Sequence, residues 1–149
     1  MRRCCKIFIN NYEIIADLNN SLTASQIWNS LPISSDIHTW GNEIYFDTSV
    51  SVEIEENAKE VIQLGEIVYW PTGKVIAIGF GKTPISLGDE IRLASKCNVW
   101  ANTSFDLKKL VNVRLNTQTQ NKHAQSLYLN NGFVYTKTNF LILATSNHK

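Results

Sequence analysis

Apolar residues recur along this chain mostly in short runs punctuated by turn formers, which is the signature of strands rather than long helices. Lys6 to Ile9 and Tyr12 to Leu18 flank Asn10-Asn11 and read as an N-terminal hairpin. A helical period follows. Ala24, Ile27, Trp28 and Leu31 share one face, Thr23 with Gln26 three residues on fits a capping box, and Pro32 stops the helix. Glu43 to Asp47 is strand-like, and its alternation sends Ile44 and Phe46 to one side and Glu43 and Tyr45 to the other. Val50 to Ile54 is expected as a further strand with Val52 and Ile54 on one side, and Glu55 to Lys59 as a polar turn or a short helical loop.

The clearest strands are Glu66 to Trp70 and Lys74 to Phe80. Pro71-Thr72-Gly73 between them suits a tight turn in which Pro presets φ and Gly takes a left-handed conformation. The run Val75 to Phe80 is apolar on both faces, as a strand covered on both sides would be. Gly79 and Gly81 are placed to bend or bulge it. Lys82 to Gly88 reads as a loop, Cys97 to Ala101 as a strand, Phe105 to Leu110 as one or two helical turns, and Val111 to Leu115 as a strand. Many short strands with one good helix predict a mainly β fold, a small closed barrel.

Composition narrows the setting. With 149 residues, the chain has room for one domain or a domain with an appendage, and 44% hydrophobic content is enough for a packed core. No apolar run approaches the ~20 residues of a membrane helix, so no membrane association is expected and a cytoplasmic location is the default. The three cysteines, Cys4, Cys5 and Cys97, are odd in number and lack C-x-x-C spacing. Reduced thiols are expected, with no metal and no cofactor. Net charge is +1, although the half through Glu66 carries four basic and ten acidic residues and the remainder ten basic and three acidic. The basic residues are scattered and no aromatic-basic motif accompanies them, so nucleic acid is not an expected partner.

Two sets of motifs add resemblances. Trp40-Gly41-x-Glu43-Ile44-Tyr45-Phe46, Gly65-Glu66-Ile67-x-Tyr69-Trp70-Pro71-x-Gly73-Lys74, Phe80-Gly81-Lys82-Thr83-Pro84-x-Ser86 and Asn98-Val99 occur in an order that resembles a largely uncharacterised family of small prokaryotic cyclophilin-like barrels, over roughly residues 6 to 116. The resemblance implies a closed barrel of about eight strands with a single main helix. True cyclophilins carry an essential arginine in a Phe-His-Arg context. Here His38 stands beside Thr39, and Arg92 and Arg114 lie in other contexts. The expectation is therefore a domain that binds a small ligand or a peptide without prolyl isomerase activity, a binder more than an enzyme. A peptidyl-prolyl isomerase is kept as one alternative. Trp40, Tyr45, Trp70 and Phe80, if they converge, make an aromatic pocket anchored by Glu43 and rimmed by Thr83 and Pro84. Against this stands the default for such residues: core packing for Trp40 and Trp70, and an exposed or salt-bridged strand position for Glu43.

The second set lies at the other end. Asn121-Lys122-His123-Ala124-Gln125-Ser126-Leu127-Tyr128-Leu129-Asn130-Asn131-Gly132-Phe133 resembles the closing motif of GNAT-type N-acetyltransferases, with flanking strands placing the resemblance at about 111–145. It implies acetyl-CoA as an alternative cofactor, approached by Asn121 and Tyr128. The Arg/Gln-x-x-Gly-x-Gly/Ala pyrophosphate loop of that family is absent, so a complete transferase is not expected. The reading is a barrel domain over 1–116 and a C-terminal α/β appendage over 117–149. Phe140-Leu141-Ile142-Leu143 is expected as an edge strand open to a protein partner or to self-association.

Overall fold

The computed structural model describes residues 3–113 and 140–144. Among the described residues the elements follow in order: β1 (Arg3–Ile9), β2 (Tyr12–Leu18), α1 (Leu22–Ser30), β3 (Ile33–Ser35), β4 (Ile37–Thr39), β5 (Glu43–Asp47), β6 (Lys59–Ile62), β7 (Glu66–Trp70), β8 (Val75–Gly79), β9 (Ile91–Asn102) and β10 (Phe140–Ala144), with a 3-10 turn at Leu107–Leu110. No helix among the described residues is long and apolar enough to cross a membrane.

The strands form one sheet in the order β3-β10-β1-β2-β9-β7-β8-β5-β4, and β6 adds to β9 off this path. Its terminal strands β3 and β4 are consecutive in the chain, with Asp36 alone between them. The sheet must therefore curl until its two ends meet at that residue, which gives a half-barrel. The mainly β, barrel-like expectation holds, with ten strands where about eight were expected. Every pairing among the described residues is antiparallel.

One face of the sheet holds the main core. Ile7 and Ile9 of β1, Ile14 of β2, Ile44 and Phe46 of β5, Ile67 and Tyr69 of β7, Ile76 and Ile78 of β8 and Trp100 of β9 pack there with Ala24 and Ile27 of α1. The opposite face of β7 and β8 is covered as well. β9 runs for twelve residues. Its second half pairs with β7 and its first half with β6, so the β6–β9 arm folds over the sheet. Ile62, Val68, Ala77, Ile91, Leu93 and Cys97 make a second cluster beneath that arm. This is why β8 is apolar on both faces: its burial comes from a covering arm.

Several local expectations are corrected. The helix is capped by Ser21, whose hydroxyl accepts from Ala24 N at 3.1 Å. Thr23 is instead buried and bonds outward to Glu55 and Asn98, so a cap two residues upstream wins because Thr23 has a tertiary role. Val50 to Ile54 forms no strand; Val50 and Val52 enter the core as loop residues while Ile54 is exposed. The β6 strand begins at Lys59, within the stretch read as a turn. Irregularity in the sheet sits in β9, where Val68 pairs Val99 while Ile67 pairs Ala101, skipping Trp100, rather than at Gly79 or Gly81. Residues 111–113 are helical rather than the start of a strand. Phe140–Ala144 is an interior strand, paired with β1 from Cys5↔Ala144 to Ile9↔Phe140 and with β3 from Ile142↔Ile33 to Phe140↔Ser35.

Candidate functional site

The turn between β4 and β5 builds one wall of a cavity. Trp40 N donates to Glu43 O at 2.9 Å, closing a hairpin on the two central residues Gly41 and Asn42. Gly41 takes φ +61°, the left-handed value that a II′-type hairpin turn needs at its first central position. The turn is pinned from the side: Asn42 N donates to Lys82 O at 2.9 Å and Phe80 N to Asn42 O at 2.8 Å. A Cβ on Gly41 would stand 2.8 Å from Pro84 Cδ and 2.9 Å from Thr83 Cα. The Trp-Gly-x-Glu and Phe-Gly-Lys-Thr-Pro motifs are thus two halves of one contact, and their joint purpose is to fix Trp40 and Glu43.

The second wall comes from the β7–β8 turn. Lys74, not Gly73, adopts the left-handed φ, at +54°. Gly73 is required for another reason: a Cβ there would lie 2.7 Å from Trp70 Cε3. The six-membered ring of the indole therefore packs against the turn at Gly73, while its Nε1 donates to Ser95 Oγ at 2.6 Å and ties β7 to the covering arm. Tyr45 completes the rim, its ring 5.2 Å from that of His38 on β4.

Between these walls lies a cavity of about 300 Å³ lined by Trp40, Glu43, Tyr45, Trp70, Val75, Ala77, Leu93, Ala94 and Cys97. It occupies the face of the sheet opposite α1, under the β6–β9 arm; the interior of the half-barrel is filled by the main core. Trp40 and Trp70 are half-buried at its edge, neither sealed in the core nor free. Glu43 is 7% exposed, which overturns the default of an exposed or paired strand residue. Its Oε1 is buried with no hydrogen-bond partner. Burial alone pushes its carboxyl up to about 7. Cys97 faces the same space, and burial first, then the charge of Glu43, push its thiol up to about 12. A thiol so held stays protonated and is a poor nucleophile.

Of the seven pocket residues named from the sequence, Trp40, Glu43, Tyr45 and Trp70 come together and Phe80, Thr83 and Pro84 do not line the cavity. Phe80 belongs to the main core on the other face. Thr83 anchors its loop, its hydroxyl donating to Arg92 O at 2.5 Å and its backbone N donating to Ser86 Oγ at 2.9 Å. Pro84 packs against Gly41. Sequence reasoning missed Val75, Ala77, Leu93, Ala94 and Cys97. The two-sided apolar character of Val75 to Phe80 was the signal for the first two, whereas the β9 residues had none, because their stretch carries little alternation before Cys97. Asn121, Tyr128 and the stretch 121–133 lie outside the described residues. Among the described residues no group of three or more His, Cys, Asp or Glu could hold a metal ion.

Three comparisons bear on this arrangement. No curated protein matches the chain. A solution structure of a hypothetical protein from Archaeoglobus fulgidus is similar at 42% identity and a TM-score of 0.60, over 68% of this chain and 79% of that one. The model of the cyclophilin-like family matches residues 3–120, which includes every residue of the cavity. By that match the chain belongs to the cyclophilin-like family.

Proposed function

We propose that this protein binds a small ligand in the cavity beneath the β6–β9 arm and does so without prolyl isomerase chemistry. The observation that carries the reading is the Glu43 carboxyl, buried in an otherwise largely apolar cavity with one oxygen unsatisfied. Leaving a buried carboxyl oxygen unsatisfied costs about 1–3 kcal/mol for a neutral group and more when it is charged. Packing needs do not explain such a group, since an apolar residue of that size would fill the site at no such cost. A ligand that satisfies Glu43 recovers the cost on binding.

The aromatic walls and the volume agree with a small molecule. About 300 Å³ is at the lower end of ligand cavities, too small for an extended peptide to enter beyond one side chain. The non-isomerase part of the reading is supported by the lining, which contains no arginine. Arg92 is engaged elsewhere, its Nε donating to Glu90 Oε2 at 2.8 Å. A cytoplasmic setting belongs to the same proposal, supported by three buried cysteines in the thiol form.

The test is a small-molecule screen by thermal shift on the wild type, Trp40→Ala and Glu43→Ala. Hits are expected whose stabilisation disappears in both variants. Hits that stabilise all three proteins equally would remove this cavity as the site.

A further inference from the structure

We infer that the ligand is an organic cation, an ammonium group carried on a short apolar stem, with Glu43 as its counter-ion and Trp40, Tyr45 and Trp70 as its aromatic walls. This rests on the small-ligand reading above and adds the chemical class.

The argument begins with what the cavity lacks. Its lining holds one carboxyl group, that of Glu43, and no lysine, arginine or histidine. An anion entering it would meet a carboxyl with no compensating charge, so anions are disfavoured. A neutral hydroxyl or amide donor satisfies the free oxygen but leaves any charge on Glu43 buried and unpaired. An ammonium does both: it donates to Oε1 and neutralises the carboxylate. Three aromatic side chains at the rim favour the same choice, because their ring faces attract cations and the benefit grows as water is excluded. Val75, Ala77 and Leu93 leave the rest of the space apolar, which suits a hydrocarbon stem.

Binding by this mode is coupled to a proton. The groups that face Glu43 are Cys97 from β9 and Tyr45 on its own strand; β8 presents Ala77 and, opposite Glu43 in register, Gly79, and β7 presents Trp70. Beyond Tyr45 lies His38 of β4, whose Nε2 is 3.6 Å from Asp47 on the exposed side. Cys97 is held protonated, so Glu43 is the group that loses a proton when a cation arrives. Affinity should therefore rise about tenfold per pH unit below about pH 7 and level off above it.

An ammonium on an apolar stem has two sources, a free amine or a lysine side chain of another protein. The experiment is calorimetry and thermal shift on the full chain with matched probes: phenethylamine, its neutral analogue phenethyl alcohol and its anionic analogue 3-phenylpropionate, together with choline, Nα-acetyl-lysine-N-methylamide and the trimethyl-lysine form of that amide. The wild type is compared with Glu43→Gln, which keeps the shape, and with Trp70→Phe, which keeps the apolar wall. The expected result is that a cation binds at least about tenfold more tightly than its neutral and anionic analogues, that Glu43→Gln erases the preference and the pH slope together, and that Trp70→Phe weakens the cation selectively. Preference among free amines assigns a metabolite-like source, and preference for the lysine amides assigns a protein side chain. Equal or tighter binding of the neutral or anionic analogue at the same cavity overturns the cation assignment while the small-ligand reading survives. No binding of any probe at millimolar concentration overturns the cation assignment as well, and the broader screen then decides the small-ligand reading by itself.

Discussion

Moving the Glu43 carboxyl out of water penalises its charged form, and the protein carries that penalty whenever the site is empty. The folded-state pKa of about 7 lies above the ordinary value of 4.5. The sign follows from proton counting. Between those two values the unfolded chain has lost the proton that the folded chain keeps, so stability falls as pH rises, and the loss is complete above about 7. The full shift corresponds to roughly 3 kcal/mol. Glu43→Gln is therefore expected to be more stable than the wild type at pH 8 by a few kcal/mol, on the order of that figure, with the difference closing as pH approaches 4.5. Urea unfolding at several pH values checks it; a pH-independent difference would mean that Glu43 is not the titrating group. At this scale the sequence was legible in part. The alternation of Glu43 and Tyr45 with Ile44 and Phe46 put the two polar residues together on one face. It did not show that this face is covered, because the cover comes from β9, about fifty residues further along. The same holds for Gly73, whose value lies in a contact with Trp70 and not in its own φ.

Elements far apart in the chain are locked to one another by a buried polar network centred on Asn98. Its Nδ2 donates to Thr23 Oγ1 and to Glu53 O, each at 3.0 Å, and its Oδ1 accepts from Glu55 N at 2.8 Å. The Glu55 carboxylate then accepts from Thr23 N at 3.0 Å and from the Thr23 hydroxyl, near the start of α1, where a negative charge is favourable. One amide thus joins α1, the loop before β6 and the middle of β9. Asn98→Ala leaves a donor and two acceptors of this network unsatisfied and is expected to cost about 2–4 kcal/mol. Chemical denaturation measures it, and a cost below about 1 kcal/mol, the level of a single exposed hydrogen bond, would show that water replaces the amide. Strands β5 and β7 have the bounds their side-chain pattern predicts, and the helix ends before Pro32. Strands β3 and β4 were not legible, since Ile33–Ser35 and Ile37–Thr39 are too short and polar to show a period, and their pairing partners lie elsewhere. Val50 and Val52 misled in the opposite sense, because a loop that lies over a core buries branched residues as a strand does.

Across the whole molecule, closure of the half-barrel depends on a strand from beyond the barrel motifs. β10 stands between β1 and β3, so both would lose a partner without it. A chain ended after Asn116 is expected to expose the edge of β1, to lose hydrogen-exchange protection at alternate β1 amides, and to self-associate through that edge. Exchange mass spectrometry with size-exclusion checks this, and unchanged protection of β1 would show that β10 is dispensable to the sheet. The cavity should persist in that shortened chain, since its walls come from β4 to β9.

What the sequence determined by itself is local and periodic: the first hairpin, the helix α1, the alternation of β5, the two-sided burial of β8 and the motif order that marks the cyclophilin-like family. These follow from side-chain spacing and turn chemistry, which act over a few residues. Only the tertiary structure decided that the aromatic motifs border a cavity on the outer face of the sheet, that Phe80, Thr83 and Pro84 support that cavity from elsewhere, and that Glu43 is buried with its Oε1 unsatisfied. Burial is set by which distant segment covers a face, and the β6–β9 arm that covers this one is specified by pairings spread over some forty residues, beyond the reach of any local pattern.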